Sequence, residues 1–496
     1  MKPTFSLTTA LGPGSLDFAA LSGREEISRL FEFVLSLNGP DPELDPERLL
    51  GTSMTLEIAL PSGRRRYLNG ECVDFSNLGW RHGQAAYEAR LRPWLWYADR
   101  QTRSRVFERQ SVPDIVRQVL AAYPFPTRFL LSRRYAPRSY CAQYRESDAQ
   151  FVMRLLESEG LWFWFEHLAG RHELMIVDDV ALSGPGPGHR PIRYCGPGQR
   201  SAGQAEYLDS WKTGGTLSTT AAPIPDHAAP PCRRYADAVP GRPWNSACGG
   251  SASGCTAALA PGHLFALEGH PCATQNRRYL VLAADYRFSA VHGQARTLST
   301  RIETHPGDRA FRPACRTPQP RVVGLQTATV IGNAVRFADG RDRLRVGFAW
   351  PGKDLENRHC GWVPLALAKR GQDDQGYPAV GEKVFIDHLD GDPDRPLITG
   401  RVGAPRQDAS RATAMPPANR APTALPPPTS LYPLLAAAAA DPRLAQACSQ
   451  SIRFLNEREI VLRCEGHCIR ITPERIEVTA SPLEERPWAN AGLEPG

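Results

Sequence analysis

Asp342-Arg343-Leu344-Arg345-Val346-Gly347-Phe348-Ala349 puts Leu344, Val346 and Phe348 on one face of an extended chain and Arg343, Arg345 and Gly347 on the other. A period of two marks a half-buried strand. Residues 339–402 repeat the theme: Trp362 lies in a short run at 361–366, and Val384 and Ile386 lie in another at 381–388. Asp390, Gly391, Asp392, Pro393, Asp394, Arg395 and Pro396 then reverse the chain, and residues 397–402 return as a fourth strand. Short strands closed by Gly, Pro and Asp at this spacing predict a small closed β-barrel of the OB type.

At 496 residues the chain exceeds one core, and roughly three domains are expected. Its 45 Pro and 42 Gly favour turns and short strands over long helices. The formal net charge is only +7. The arginines are spread along the chain and read as solvated surface; with no basic stripe interleaved with aromatics, no nucleic-acid partner is expected. The N-terminal residues carry no continuous apolar core, and no run approaches the ~18 apolar residues of a membrane span. Synthesis and folding in the cytoplasm are therefore expected. The 12 Cys, scattered from Cys72 to Cys468 without CxxC pairing, are expected as mostly free, buried thiols.

Residues 4–100 read as β-rich, with strands at 54–60, 66–75 and 86–95 and an aromatic run, Pro93-Trp94-Leu95-Trp96-Tyr97, assigned to the core. Ser111 and Asp114 open a helix whose apolar stripe is Ile115, Val116, Val119 and Leu120. A second helix starts at Ser147, with Gln150 three residues on and Phe151, Val152, Leu155 and Leu156 at helical spacing, and stops at Gly160. Leu161-Trp162-Phe163-Trp164-Phe165 follows as a strand, expected to pair with residues 173–177.

The run Tyr140-Cys141-Ala142-Gln143-Tyr144-Arg145-Glu146-Ser147-Asp148, then Phe151-Val152-Met153-Arg154-Leu155-Leu156-Glu157-Ser158-Glu159-Gly160 and the aromatic strand, resembles the central signature of the valine-glycine repeat (VgrG) spike proteins of type VI secretion systems. Val-Gly pairs at Val323-Gly324, Val346-Gly347, Val380-Gly381 and Val402-Gly403 suit the family's name. Glu146, Ser147 and Asp148 need no catalytic role: Ser147 caps the helix and the acidic side chains complement its dipole. A hydrolytic Ser/Asp pair would also need a positioned His, and none is near in sequence.

Residues 183–262 are loop-rich and carry the resemblance weakly, with Cys248 and Cys255 flanking a Gly/Ser tract. Alternation returns at 264–270 and 279–286, and 312–320 reads as a Pro-rich linker. Residues 404–450 form a Pro/Ala-rich connector with a short helix expected at 434–450. From Ser451 onward, Ile452 and Phe454, then Ile460, Leu462 and Cys464, then Ile469 and Ile471, then Ile476 and Val478 alternate in strands broken near 456, 466 and 473. Such strands are too short to bury a core alone. Three copies around one axis would bury it, as in a triple-stranded β-helix, and Ile460, Leu462, Cys464, Ile469, Ile471, Ile476 and Val478 are the candidate axis residues.

Two constellations carry side chains of the metal-ligating kind. Asp390, Asp392 and Asp394 start like a calcium loop, but Arg395 and Arg401 stand where an EF-hand needs Gly and Glu; a turn set by Gly391 and Pro393 and capped by the Asp side chains is expected instead. Cys464, His467 and Cys468 match some zinc spacing, with buried small side chains the plainer reading. No catalytic residue, cofactor or metal is expected. Neither 404–450 nor 481–496 is long enough for a hydrolase, which needs ~100 residues.

The expected fold is mainly β with minor α: a phage-hub-like β-barrel body at 1–311, with two barrel subdomains, an OB-fold domain at 321–403, the connector at 404–450, a short β-helix needle at 451–480 and a tail at 481–496, as a homotrimer. The resemblance implies a non-enzymatic spike that caps the hexameric tube of haemolysin-coregulated protein (Hcp). It implies a PAAR-type tip protein, an effector or adaptor as cargo, and transient contact with a target-cell membrane. Cytoplasmic assembly would be followed by secretion through the type VI system. The alternatives are a hub–spike of a phage tail or phage-derived bacteriocin and, less favoured, a spike-delivered cell-wall hydrolase.

Overall fold

The structure is a computed structural model. It describes residues 4–402 apart from 82, 188–190, 197–205, 215–248, 292, 351–358 and 367–376, and the backbone of four strands between residues 451 and 480. The connector at 404–450, with its expected helix, and the tail at 481–496 lie outside the described residues.

Mainly β architecture follows from the abundance of short alternating runs. In the body, two closed rings share one long hairpin, Arg278–Val291 with Gln294–Pro306. Thr4–Thr8, Ser53–Ala59, Arg65–Arg81, Gln84–Arg92, Glu32–Gly39 and Asp17–Glu26 complete the first ring. Leu264–Glu268, Ile192–Tyr194, Tyr207–Gly214 and Gly249–Cys255 complete the second. The shared strand changes neighbours along its length. Residues 278–280 pair with Leu264–Glu268, and 283–289 pair with Asp17–Glu26, across an irregularity between Val281 and Ala283. A bulge bends a strand, and here it falls where the strand passes from one ring to the other.

Gly249–Cys255, Gly-Gly-Ser-Ala-Ser-Gly-Cys, is a strand that the composition hides. Its small residues reflect close backbone approach. A Cβ on Gly254 would lie 2.1 Å from the Tyr207 carbonyl oxygen and 2.6 Å from Leu208 Cα. We expect Gly254→Ala to cost about 1–3 kcal/mol by overpacking against backbone that cannot yield, seen as a lower urea midpoint. Gly214→Ala, with open space around it, serves as the neutral control; equal midpoints for the two would contradict the close approach.

The helices start and stop where the sequence marks them. α1 (Val112–Leu120) is capped by Ser111, whose hydroxyl accepts from Asp114 N at 3.4 Å, and Ile115, Val116, Val119 and Leu120 are all buried. α2 (Asp148–Glu159) is capped by Ser147 and ends at Gly160 in the left-handed conformation, φ +76°, where Leu161 N returns to Leu156 O at 2.9 Å. Trp162–Leu168 and Arg171–Val177 form the expected hairpin. The aromatic run is core at Trp94 and Leu95, but as a 3-10 turn, Trp94–Asp99, because the preceding strand already ends at Arg92.

The domain opened by the Asp342 run is a five-stranded sheet in the order Cys360–Pro364, Asp342–Phe348, Gln326–Arg336, Lys383–His388, Pro396–Arg401. A parallel bridge between Leu365 and Ile398, with Ala366 N donating to Ile398 O at 2.9 Å, joins its two edges into a barrel. Leu344, Val346, Val384 and Ile386 fill its core with Val330 and Ile398. The strand Gln326–Arg336 escapes the period-two reading because register shifts at Val330/Gly332 and Gly332/Val335 break its alternation.

Residues 406–496 form a separate unit. Among its described residues, Ser451–Asn456, Glu459–Cys464, His467–Ile471 and Ile476–Ala480 pair consecutively and antiparallel. The register sets Ile452 opposite Leu462, Leu462 opposite Ile469, Ile469 opposite Val478, Ile460 opposite Ile471 and Ile471 opposite Ile476. Directly opposed residues share a face, so the apolar positions fall on one side of the sheet. The same register sets Cys464 opposite His467 and Cys468 opposite Arg463, so positions 464 and 468 fall on opposite faces.

Candidate functional site

The signature stretch lies where the body meets the OB barrel. Strand Cys141–Ser147 runs into α2, and the two carry a buried polar cluster. Arg154 meets Glu146 in a two-pronged pair, Nε to Oε2 at 2.8 Å and Nη2 to Oε1 at 2.6 Å, and also donates to Ala142 O at 2.8 Å. Asp148, fully buried, accepts from Arg105 Nη2 at 2.5 Å and from Gln143 Nε2 at 2.8 Å on one oxygen, and from the Tyr123 hydroxyl at 2.9 Å on the other. Ser147 accepts from Gln150 N at 3.1 Å and donates to the Asp99 carboxylate. The acidic residues therefore do more than complement the helix dipole. They neutralise Arg154 and Arg105, and the expectation that the arginines are solvated fails at these two and at Arg66, which are buried.

Burial pushes the Glu146 carboxyl up, and Arg154 opposes that shift. Burial works against the charge on Arg154, yet the bonds from Glu146 outweigh it and the guanidinium is held more firmly protonated than in water. Burial and the adjacent Asp148 carboxylate raise the Tyr123 hydroxyl to about 12, so it stays a donor. No group here is poised to abstract a proton: the carboxylates are committed to arginine, and Ser147 faces Asp99 and a helix amide. The chemistry is that of a rigid joint.

The barrel's contribution comes from its Asp-rich turn. Asp394 Oδ1 accepts from Ala142 N, at the head of the signature strand, at 2.6 Å. Two segments 252 residues apart thereby meet. Asp392 Oδ1 accepts from Asp394 N at 2.9 Å and from Gln319 Nε2 at 2.8 Å, and burial together with Asp394 pushes its carboxyl up. Asp390 adopts φ +58° and Gly391 φ +72°, and Asp390 pairs with Arg395 at 3.3 Å. Asp392 thus caps the turn locally, while Asp394 reaches into the body. Among the described residues no group of three or more His, Cys, Asp or Glu side chains is placed to hold a metal ion.

Further contacts close the joint. Trp362 N donates to Glu108 Oε1 at 2.6 Å, and Gln326 Nε2 donates to the Tyr144 hydroxyl at 2.8 Å. A Cβ on Gly361 would stand 2.7 Å from Tyr140 Cε2, so the ring packs directly on the barrel backbone. The segment at 312–320, expected as a linker, is strapped to the far end of α2. Glu157 accepts from Arg316 N, Thr317 N and Thr317 Oγ1, each at 2.9 Å, and pairs with Arg29 at 3.3 Å, while Arg312 donates to Ser158 O at 3.0 Å. The signature strand thus holds the barrel turn, and the far end of α2 holds the 312–320 segment. Sequence reading singled out Glu146, Ser147, Asp148 and the 390–393 turn; it missed Ala142, Arg105, Glu157 and Asp394 as contacts, since no local pattern announces a partner so distant.

A second buried network lies inside the rings. Glu25 meets His167 Nε2 at 2.6 Å, Arg66 at 3.2 Å and the Tyr286 hydroxyl at 2.7 Å. Burial pushes its carboxyl up, but His167 and Arg66 outweigh that and hold it below the ordinary range. Among the described cysteines Cys72, Cys141 and Cys195 are buried, the Cys72 thiol raised to about 12 by burial, Cys255 and Cys360 are half-buried, and Cys272 and Cys315 are exposed, so fewer are buried than expected.

Comparison with known proteins agrees with this geometry. The family model of the phage tail baseplate hub (GPD) matches residues 24–228. The type VI secretion system spike protein VgrG1a of Pseudomonas aeruginosa is 33% identical over 444 residues, 79% of this chain and 68% of its own length. VgrG1c of the same organism is 34% identical over 442 residues, again 79% of this chain but 60% of its own length. The chain thus spans about 60–68% of these two relatives. Among solved structures, the E. coli c3393 protein, described as a type VI secretion component similar to the T4 tail proteins gp27 and gp5, superposes with a TM-score of 0.61 at 22% identity, covering 80% of this chain and all (100%) of that one. A chain of a Francisella PdpA–VgrG complex gives 0.51 at 8% identity, covering 96% of this chain and 88% of the other. These superpositions show a shared fold. Taken with the identity and coverage of VgrG1a, they place the chain in the VgrG family of type VI secretion system spike proteins, built on the phage tail hub fold.

Proposed function

We propose that this chain works as a homotrimeric, non-enzymatic tip of the secretion machine. The body caps the end of the Hcp tube, the OB barrels gather three chains, and residues 451–480 form a needle directed at the target membrane. A PAAR-type tip protein seats on the needle end, and cargo rides on that tip or on residues 481–496. The spike assembles in the cytoplasm and leaves through the machine. The observation that carries this reading is the register of the C-terminal strands, which sets the candidate axis residues Ile460, Leu462, Cys464, Ile469, Ile471, Ile476 and Val478 on one side of a small sheet. A four-stranded sheet with one apolar face needs a second layer, and a threefold arrangement supplies it from two further copies.

Rigidity suits the same role. A device driven by force needs its parts locked, and the signature strand with α2 ties the body to the barrel turn and to the 312–320 segment. The test is genetic and physical together. Deleting the gene is expected to remove Hcp from the culture medium while it still accumulates in cells, and the purified chain is expected to sediment as three copies. Continued Hcp release, in a strain with no second spike gene, would refute the role; a stable monomer would refute the trimer.

A further inference from the structure

The turn that pins the barrel to the body also walls a cavity of about 270 Å3. In an OB barrel the ligand face is formed by the second and third strands and by the loops joining strands one to two and four to five. Here Phe337 and Arg341 come from the first of those loops, Arg343 and Trp362 from the strands, and Arg395 from the second loop. The cavity therefore occupies the position at which this barrel type binds ligands, and the body closes one side of it with Arg109 and Tyr140.

Four arginines line it beside two carboxylates, Glu108 and Asp394, which accept from the Trp362 and Ala142 backbone amides. Arg343 is paired with Asp339 and lies 4.2 Å over the Phe337 ring, and Arg395 is paired with Asp390. Among the described residues neither Arg109 nor Arg341 has a carboxylate at ion-pair distance; Arg109 stands 5.8 Å from the Phe337 ring. Arg109 also holds a left-handed backbone, φ +53°, which a non-glycine residue adopts only where surrounding structure enforces it. The Tyr140 hydroxyl is buried with no hydrogen-bond partner in the structure, and an orphaned buried donor asks for an acceptor. Burial, Asp394 and Glu108 raise this phenol far above its ordinary range, so it keeps its proton. Phe337 and Trp362 meet edge to face at 5.7 Å and supply the apolar wall.

Size and shape narrow the ligand. A single strand of nucleic acid needs an open groove that tracks its phosphates, whereas the body closes one side of this one with Arg109 and Tyr140. Drug-sized ligands fill about 300–1,000 Å3; this cavity holds one side chain and its flanks. We propose that it receives a single acidic side chain of a partner protein, an Asp or Glu between apolar neighbours. Arg109 and Arg341 grip the carboxylate, Tyr140 donates to it, and the Phe337–Trp362 wall packs the neighbours. The proposal stands on the cavity and is independent of the spike reading.

The test uses the full chain labelled with 5-fluorotryptophan, the Trp362 resonance being identified by its loss in Trp362→Phe. Acetyl-Leu-Glu-Phe-amide is titrated against its Gln counterpart and against a dT10 oligonucleotide. The Glu peptide is expected to move the Trp362 signal saturably and at least fivefold more tightly than the Gln peptide. Arg109→Ala/Arg341→Ala is expected to weaken it more than tenfold, and Tyr140→Phe severalfold, with the other tryptophan signals unchanged in both. Equal response to the Glu and Gln peptides, or none to either, overturns the proposal. A stronger response to dT10 assigns the face to nucleic acid and overturns it too. A Trp362 signal that ignores every probe but moves when the assembly dissociates gives the cavity to a neighbouring copy, which also overturns it.

Discussion

Ile469→Asp/Ile471→Asp is expected to return the protein to monomers. If three chains close around one axis, the substitution places two carboxylates per chain there, six in all. Even at about 2 kcal/mol for each unpaired charge taken from water, the sum weakens association by more than about 10^8-fold. The register makes the choice of residues specific: Ile469 opposes Leu462 and Val478, and Ile471 opposes Ile460 and Ile476, so both charges enter the apolar face at its centre. Sedimentation gives the result directly, and circular dichroism separates it from global unfolding, because the body's core is distinct from this unit. Ile469→Val/Ile471→Val keeps the apolar face and is expected to keep the assembly. An unchanged trimer in the Asp variant would rule out these residues as its axis.

Glu146→Ala is expected to be the most damaging single change in the body. It leaves the Arg154 guanidinium, buried between strand Cys141–Ser147 and α2, without its carboxylate. Removing one partner of a buried ion pair costs about 3–5 kcal/mol. Spread over the unfolding entropy of some 300 residues, that lowers the body's melting temperature by on the order of 5–8 °C, measurable by calorimetry. Replacing both partners, Glu146→Leu/Arg154→Met, is expected to recover most of the loss, since apolar groups of similar volume satisfy the same site. A single variant as stable as the parent would mean the pair contributes nothing to the joint. A double variant as unstable as the single would show that Arg154 matters through Ala142 O rather than through Glu146.

Much of the local architecture is legible along the chain. The barrel strands beginning at Asp342 and Lys383, both helix caps, the stop at Gly160 and the aromatic hairpin all rest on contacts within a few residues, and those patterns are local by nature. Among the strands the sequence does not announce, two escape for opposite reasons. Gln326–Arg336 loses its alternation to register shifts. Gly249–Cys255 has none to show, because its residues are small enough to admit neighbouring backbones. The arginines misled the reading, since a charge is solvated or buried according to its partner, and Arg105, Arg154 and Arg66 find theirs on other elements.

The sequence by itself determined the β-rich class, the OB barrel, the helix boundaries and the kinship carried by residues 140–165, because periodicity, capping and motif spacing are properties of consecutive residues. Only the tertiary structure decided what the signature is for. Ala142 meets Asp394 across 252 residues, Glu157 grips Arg316 and Thr317, and Arg109, Tyr140 and Trp362 converge on one cavity. Hydrogen bonds and ion pairs act over about 3 Å whatever the separation along the chain, so which charges meet is settled by how the barrels close and nowhere earlier.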